Sequence, residues 1–414
     1  MKKVLLASAA LLALSTAAQA AEPVKLSIGG YATQMMGYAG NDNATIFTSG
    51  ETASTAVDHK VRFDTQDDVN INFLGSTKLD NGITVGVEVD TFGSQRKDSR
   101  ANAAGNLNTK RSFITVGTVA GTLIVGERED ALYIVHSAAP DVGTVGLQDG
   151  YWHQFVATPY YHKLMNTTST SRYDDRSNKI SYVSPSWNGL AAAASYVPAI
   201  GESNSGATTV PSSYEYNGVD LTTMHGSASG VNFGGGDLYG AGLAFANTFG
   251  DVSIKADTGV GRANIAGLTV YQGGTQVAYA GFTLGGSILN RHVESDASLA
   301  PVAQVNSGTG ALTQATAYAG QSWDLGLAYA TGPYSVSLGY FHDTTKKAET
   351  TAGHTDNGYA ADSTDVIMLG GKYVMGPGVA LTASVGQVDY KTASTNIGDK
   401  NKGVLAVTGI RVDF

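Results

Sequence analysis

Short stretches of the chain alternate apolar and polar residues. Asp68–Phe73, Ile83–Asp90, Val252–Asp257, Trp323–Tyr329 and Ile410–Phe414 each carry apolar residues at every second position. A period of two with one apolar face indicates half-buried β-strands, because successive side chains of a strand point to opposite faces. The pattern therefore predicts an all-β fold.

The connections between the predicted strands are short and long in turn. The short ones contain glycine, which supplies the positive φ of tight turns. The long ones are rich in Ser, Thr, Asn, Asp and Gly. Seven short and eight long connections predict sixteen strands, with all the long loops at one end. The short turns are predicted at residues 80–82, 120–121, 187–189, 250–251, 285–286, 331–333 and 375–378, and the long loops at residues 41–58, 93–110, 129–177, 200–236, 262–275, 294–320, 343–364 and 392–402.

The first twenty residues have the features of a secretory signal peptide. Lys2 and Lys3 give a basic start, residues 4–14 are apolar, and Ala-Gln-Ala at 18–20 is a small-residue cleavage site. The apolar stretch is too short to span a membrane, so we predict an export signal over residues 1–20. Beyond it no apolar run is long enough for a transmembrane helix. A membrane location would then require a closed β-barrel, and the alternative is a soluble secreted protein.

The composition narrows the function classes. The chain has no cysteine, which excludes disulfides and thiol chemistry. Its formal charge of −9 becomes −11 without the two signal-peptide lysines, and an acidic chain without basic clusters is not expected to bind nucleic acid. Fifty-two glycines, twenty-one tyrosines and only nine prolines favour strands and turns. No linker divides residues 21–414, so we predict one domain.

The loop pattern favours a membrane barrel over a soluble sandwich. The predicted strands are about as long as the roughly 9–11 residues that a membrane-spanning strand needs, or slightly longer. Bacterial outer-membrane barrels have an even number of strands, short turns at one end and long loops at the other. A soluble sandwich or propeller gives no reason for loop lengths to alternate. The predicted fold is therefore a transmembrane antiparallel up-and-down β-barrel of sixteen strands.

Residues 129–177 form a long connection that does not alternate. It mixes acids, bases and aromatic residues. A loop of this length without regular structure is normally functional or disordered, and its aromatic content argues against disorder. We expect this segment to fold inward and to narrow a water-filled barrel.

Three stretches resemble a general bacterial porin of the alphaproteobacterial type. Gly121–Gly126 resembles the family's fifth strand, and Arg172–Leu190 resembles the exit from its third loop. Phe414, with Val412 and Ile410 before it, resembles the carboxyl-terminal signal of barrel assembly. The resemblance implies a homotrimer of sixteen-stranded barrels in the lipid of the outer membrane. Each barrel would have its third loop in the lumen and would pass small hydrophilic solutes and ions passively.

The bore of such a barrel would lie between loop acids and wall residues. By alternation, Asp68, Asn70, Asn72, Glu88 and Asp90 face the lumen. Residues 140–143 are similar to the Pro-Glu-Phe-Gly tip of enteric relatives, which makes Asp141 the candidate tip acid. Arg111 matches a family position where arginine precedes an alternating strand. The candidate constriction-loop residues are Glu129, Asp130, Asp141 and Asp149, and the candidate wall residues are Arg62, Asn70, Asn72, Glu88, Arg111 and Arg128.

Two departures from the family bear on ion preference. Asn70 stands where relatives often carry an arginine, and Glu127 sits beside Arg128 where a lone arginine is usual. Both changes weaken the basic cluster, so we expect mild cation selectivity.

Three other functions compete with a general porin: a substrate-specific channel, a barrel-embedded enzyme, and an adhesin that binds through its outer loops. No H-E-x-x-H or G-x-S-x-G motif is present and the eight histidines are scattered, so we predict no enzyme. No cofactor is predicted. The sequence leaves Ca²⁺ open as a weaker alternative, at acids in the loops. These acids are Asp64, Asp67, Asp68, Asp174 and Asp175.

Overall fold

A computed structural model gives the fold of the chain. It describes residues 23–41, 45–46, 57–58, 62–93, 109–148, 150–159, 162, 165–170, 176–198, 215–216, 219–220, 237–263, 268–293, 302–305, 312–315, 319–346, 361–392 and 400–414. The predicted signal peptide lies outside these residues. So does Asp149, and so do Asp174 and Asp175.

Sixteen antiparallel strands form a closed barrel in which each strand pairs with its chain neighbours and the last pairs with the first. This confirms the predicted fold and strand number. The strands are β1 Lys25–Asn41, β2 Phe63–Lys78, β3 Thr84–Phe92, β4 Thr109–Thr118, β5 Gly121–Glu127, β6 Asn178–Val183, β7 Leu190–Val197, β8 Leu238–Phe249, β9 Val252–Ala263, β10 Leu268–Tyr279, β11 Phe282–Val293, β12 Gly320–Thr331, β13 Tyr334–Lys346, β14 Ala361–Gly376, β15 Val379–Thr392 and β16 Asn401–Asp413.

Smaller elements lie outside the barrel sheet. In the part of the chain that the structure describes, two short helices, α1 Ala131–Val135 and α2 Trp152–Phe155, follow β5. Among the described residues, no helix is long and apolar enough to cross a membrane. Three small two-stranded sheets pair residues 45–46 with 57–58, 215–216 with 219–220, and 302–305 with 312–315.

Two predicted connections are wrong in position, and both errors have one cause. Residues 285–286, predicted as a turn, lie inside β11, and the turn is at Ala280 and Gly281, whose φ values are 49° and 86°. Most of residues 262–275, predicted as a long loop, belongs to β9 and β10. A Cβ on Gly285 would lie 3.2 Å from Pro140 Cδ, and a Cβ on Gly274 would clash with the Ser137 carbonyl oxygen. Gly274 and Gly285 allow a segment inside the barrel to approach the wall and do not mark turns.

A third boundary shifts for another reason. The loop predicted over residues 343–364 begins only after Lys346 and ends before Ala361. Polar side chains at both ends of this range belong to strands because they point into the barrel. Asp343 and Asp362, for example, are fully buried there.

Alternate residues of the strands face outward and inward, as predicted. On β13, Val336 and Leu338 are 53% and 56% exposed on the outer surface, whereas Ser337 between them is 3% exposed. On β2, Asp68 and Asn70 are buried on the inside. Aromatic pairs lie at both rims of the apolar outer surface. These include Tyr334 with Tyr373 at the turn end and Tyr196 with Tyr239 at the loop end. Such a surface is typical of a barrel in a membrane.

The inner face is not polar throughout, which corrects a simple reading of the alternation. On β13–β16 and β1, many inward residues are apolar and are buried beneath the segment that follows β5. This hydrophobic core lies inside the barrel. Its wall residues include Met35, Ala39, Phe341, Val366, Met368, Val388, Leu405 and Val407.

Candidate functional site

The segment that follows β5 folds into the barrel and runs along its inner wall. We call the described part of residues 129–170 the collar. Glu129 binds Arg111 on β4, and the next wall contact is on β7, where Ala131 N donates to Ser195 Oγ at 2.7 Å. Asp130 begins α1 as its N-cap, because its carboxylate accepts a hydrogen bond from Tyr133 N at 2.8 Å. The helix therefore starts against the wall and directs the chain along it.

The collar next crosses β9 to β12 on a network of buried carboxylates. His136 Nδ1 lies 2.9 Å from Asp257 Oδ2, and Ser137 N donates to Asp257 Oδ1 at 2.7 Å. Ala139 N donates to Asp324 Oδ1 at 3.2 Å, and the Gln148 amide also donates to Asp324. Two inward acids of the wall thus hold the collar by its backbone.

On the far wall the contacts are both polar and apolar. Val142 N donates to Ser337 Oγ on β13 at 3.1 Å, and Thr144 N donates to Ser384 Oγ on β15 at 2.8 Å. Trp152 is fully buried in the inner core. Its indole N–H donates to the Leu147 carbonyl at 3.2 Å.

The collar then reaches the first two strands. Ala157 N donates to Asn41 Oδ1 on β1 at 3.0 Å, and the Tyr151 hydroxyl donates to Asp68 Oδ2 on β2 at 2.9 Å. Contacts therefore follow one another along the wall from β7 round to β2. Among the described contacts, the inner faces of β3 to β5 and the turn-end half of β2 meet the collar at its root, where Glu129 binds Arg111 on β4. We call this surface the strip.

Wall glycines make room for the collar. A Cβ on Gly339 would lie 2.6 Å from Leu147 Cδ2, and a Cβ on Gly370 would lie 2.6 Å from the backbone N of Gly143. Any larger side chain at these positions would push the collar off the wall. The close approach is thus encoded in the wall as well as in the segment.

The structure brings most of the predicted wall residues together along the strip. Asn70 and Asn72 are hydrogen bonded to each other on β2, and Glu88 lies on β3. Arg111 lies on β4, and the Arg128 guanidinium lies over the Phe113 ring, 4.6 Å from its centroid. Arg62 stands apart, exposed beside the loop end of β2. That these residues line a bore stays a prediction.

An ion-pair cluster fixes the root of the collar beside the strip. Arg111 binds Glu129 with two hydrogen bonds of 2.7 Å and donates to Asp90 Oδ2 at 3.1 Å. Arg176 Nε donates to Glu129 Oε1 at 2.9 Å. Burial alone would raise the pKa of Glu129, but the hydrogen bonds and charge of Arg111, followed by those of Arg176, hold this pKa well below its usual range. Glu129 is therefore a charged anchor of the collar.

The other predicted loop acids have different surroundings. Burial raises the pKa of Asp130, which caps α1, despite hydrogen bonds from Thr170 and the Tyr133 backbone. Asp141 Oδ1 accepts from Ser337 Oγ at 3.1 Å and from Gly143 N at 2.9 Å, so this acid is held to the β13 wall. Asp149 is outside the described residues. A role for these acids in the constriction stays a prediction.

Sequence reasoning missed the residues that hold the collar in place. Trp152 and Tyr151 lie in the predicted loop but received no role, and Asp68 was predicted to face the lumen and considered for Ca²⁺, but not as a contact of the loop. The signal that could have found them is the density of aromatic residues at 151–155, because a solvated loop has little use for buried aromatic surface.

The described residues contain no group of three or more His, Cys, Asp or Glu side chains arranged to hold a metal. Of the acids considered for Ca²⁺, Asp64 accepts from the Gln66 amide at 2.6 Å and Asp68 accepts from two tyrosines. Calcium binding remains an untested expectation.

Comparisons with known proteins agree with this architecture. The model of the Gram-negative porin family matches residues 7–393. Among solved structures, the anion-selective porin from Comamonas acidovorans is 16% identical over 95% of this chain and 100% of its own, with a TM-score of 0.52. A trimer form of OmpT, an outer-membrane protein of Vibrio cholerae, is 11% identical over 95% of this chain and 100% of its own, with a TM-score of 0.54. At these identities the two structures show a shared fold. No curated protein matches the chain by sequence. The family match spans most of the chain and confirms the resemblance found in its sequence: the chain belongs to the Gram-negative porin family.

Proposed function

We propose that the protein forms a water-filled channel through which small hydrophilic solutes and ions cross the outer membrane by passive diffusion. An outer-membrane channel follows from the family and the barrel. The observation that carries the finer proposal is the strip. The collar is packed against the rest of the wall, whereas β2 to β4 keep polar and charged inward residues that stay partly exposed, among them Asn72, Glu88 and Arg111.

The chemistry of such a channel is electrostatic and needs no covalent step. Water and solutes would pass between the collar and the strip, where Glu88 and Asp90 lie on β3, Arg111 on β4 and Arg128 directly after β5. Opposite charges on facing surfaces order water and favour polar solutes over apolar ones. Family membership favours this role over an enzyme embedded in the barrel, and an assay for lipase or protease activity separates the two.

Three of the four predicted loop acids contribute little to the predicted mild cation selectivity. Glu129 is paired with two arginines, Asp130 is buried as a helix cap, and Asp141 is hydrogen bonded to the wall. The charges of these acids are offset by partners or turned away from the strip. We therefore propose a channel with a weak ion preference, whose sign depends on the strip more than on the loop acids.

We further propose a homotrimer embedded in outer-membrane lipid. The apolar outer face of the barrel supports contact with acyl chains. The trimer is supported by the family resemblance and by the trimer form of the structurally similar OmpT. Cleavage after residue 20 stays a prediction of the sequence.

Planar-bilayer recording tests the proposal. The full chain, purified in detergent and inserted into a bilayer, should give stepwise conductance that rises in proportion to salt concentration. A small reversal potential in a salt gradient should report the weak ion preference. Absence of conductance from correctly folded barrels would overturn the channel. A large reversal potential of either sign would overturn the weak preference.

A further inference from the structure

The course of the collar around the wall reaches β2 at a single carboxylate. Asp68 Oδ2 accepts one hydrogen bond from the Tyr151 hydroxyl of the collar at 2.9 Å and one from the Tyr31 hydroxyl of β1 at 3.1 Å. The contact of Ala131 with Ser195 on β7 bounds one edge of the strip. The contact of Tyr151 with Asp68 bounds the other edge.

Tyr151 is well placed to hold this edge because its backbone is fixed. Tyr151 N donates to the Val145 carbonyl at 2.7 Å, and the next residue, Trp152, is anchored in the inner core. The neighbouring collar contacts are on β1, including that of Ala157 with Asn41. The Tyr151 hydroxyl thus ties the collar to β2.

Asp68 also carries charge at this edge. Among the described ion pairs none includes Asp68, whose carboxylate is hydrogen bonded by two neutral hydroxyls and is 7% exposed. It interacts electrostatically with Lys110, on the neighbouring wall. Hydroxyl donors orient a carboxylate without neutralising it, so its field extends into the strip.

We propose that the Tyr151–Asp68 contact is a clasp that determines the specificity of the bore. The hydrogen bond sets the width of the opening at the β2 edge, and the Asp68 charge favours cations there. This inference rests on the proposed channel function. It assigns width and charge to different atoms of one contact, so the two roles can be separated.

Tyr151→Phe and Tyr31→Phe form a matched pair for the width. Each variant removes one of the two hydroxyls that donate to Asp68 Oδ2, but only Tyr151→Phe breaks the contact between the collar and β2. In liposome swelling, Tyr151→Phe should admit sugars that the unchanged protein excludes. In single-channel records it should make a wider state about tenfold more frequent, because a hydrogen bond to a charged group is lost. Tyr31→Phe should have the smaller effect on both measurements. Equal effects of the two variants would overturn the clasp.

Asp68→Asn tests the charge. The amide oxygen still accepts from both hydroxyls, so the size limit for sugars should hold while the reversal potential in a KCl gradient moves toward anions. An unmoved reversal potential would remove Asp68 from ion selection. If the unchanged protein does not conduct, the channel itself fails. If it conducts and the variants match it, only the clasp fails.

Discussion

Replacing Trp152 by alanine should release the collar from the inner wall. Trp152 is 0% exposed, and its ring lies 6.4 Å from that of Phe341 and 6.2 Å from that of Tyr390, centroid to centroid. The change removes this packing and the indole hydrogen bond to the Leu147 carbonyl. The barrel hydrogen bonds do not involve this side chain, so the loss falls on docking of the collar.

The expected magnitude is large. Truncation of a buried tryptophan to alanine costs about 3–5 kcal/mol. Each 1.4 kcal/mol is a factor of ten in an equilibrium constant. The undocked fraction of the collar should therefore increase by a factor of between about one hundred and several thousand. Even a collar that is rarely undocked in the unchanged protein should then spend a measurable time away from the wall.

Two assays report undocking. Chymotrypsin cleaves after aromatic residues, so the variant in detergent should be cut within residues 151–155 while the barrel strands stay intact. Reconstituted in liposomes, it should admit larger sugars than the unchanged protein. Trp187→Ala is the matched control, because Trp187 is 74% exposed at a turn on the outer surface. If the two variants show the same cleavage and the same size limit, the inner core does not hold the collar.

Two further predictions concern the wall and the root. Gly370→Ala places a Cβ 2.6 Å from Gly143 N and should displace the collar, raising the sugar size limit, whereas Gly371→Ala meets nothing within 4 Å and should leave that limit unchanged. Equal limits in the two variants would argue against close packing at the wall. Because the pKa of Glu129 is lowered, its stabilising contribution is present above the ordinary carboxyl pKa and is lost only as pH falls through the lowered value. Glu129 should therefore stay charged, with its contacts to Arg111 and Arg176 intact, from neutral pH down to about pH 4. Arg111→Ala leaves Glu129 buried without its main partner, which raises its pKa, so the pH profile of conductance should differ from that of the unchanged protein within that range; identical profiles would contradict the anchor.

Alternation identified the strands because successive side chains of a barrel strand point in turn to the water inside and to the lipid outside. Asp68–Phe73 on β2 and Ile83–Asp90, which leads into β3, show this most strictly. Both strands contribute to the strip. The predicted wall residues came together for the same reason. Parity on a strand fixes which side chains share a face, and antiparallel pairing places those faces side by side.

The inner core was not predicted because a covered inner wall breaks that rule. Residues 366–369 of β14 read Val-Ile-Met-Leu, with Val366 and Met368 buried beneath the collar and the other two exposed outside. A continuous apolar run is typical of a strand with both faces buried. The run was available in the sequence. Its meaning depended on knowing which part of the chain covers the inner face, and that is a long-range contact.

The same argument indicates where selectivity is determined in this barrel. Acids in a long loop suggest a charged constriction. A segment that packs against the wall from β7 to β2, however, uses its polar groups in hydrogen bonds to that wall. Asp130 and Asp141 accept hydrogen bonds from backbone or wall groups, and Glu129 is bound by arginines. Solutes would meet instead the side chains that the collar leaves uncovered. Substitutions on β2 to β5 should therefore change ion preference with the collar in place, and substitutions under the collar should change pore width first.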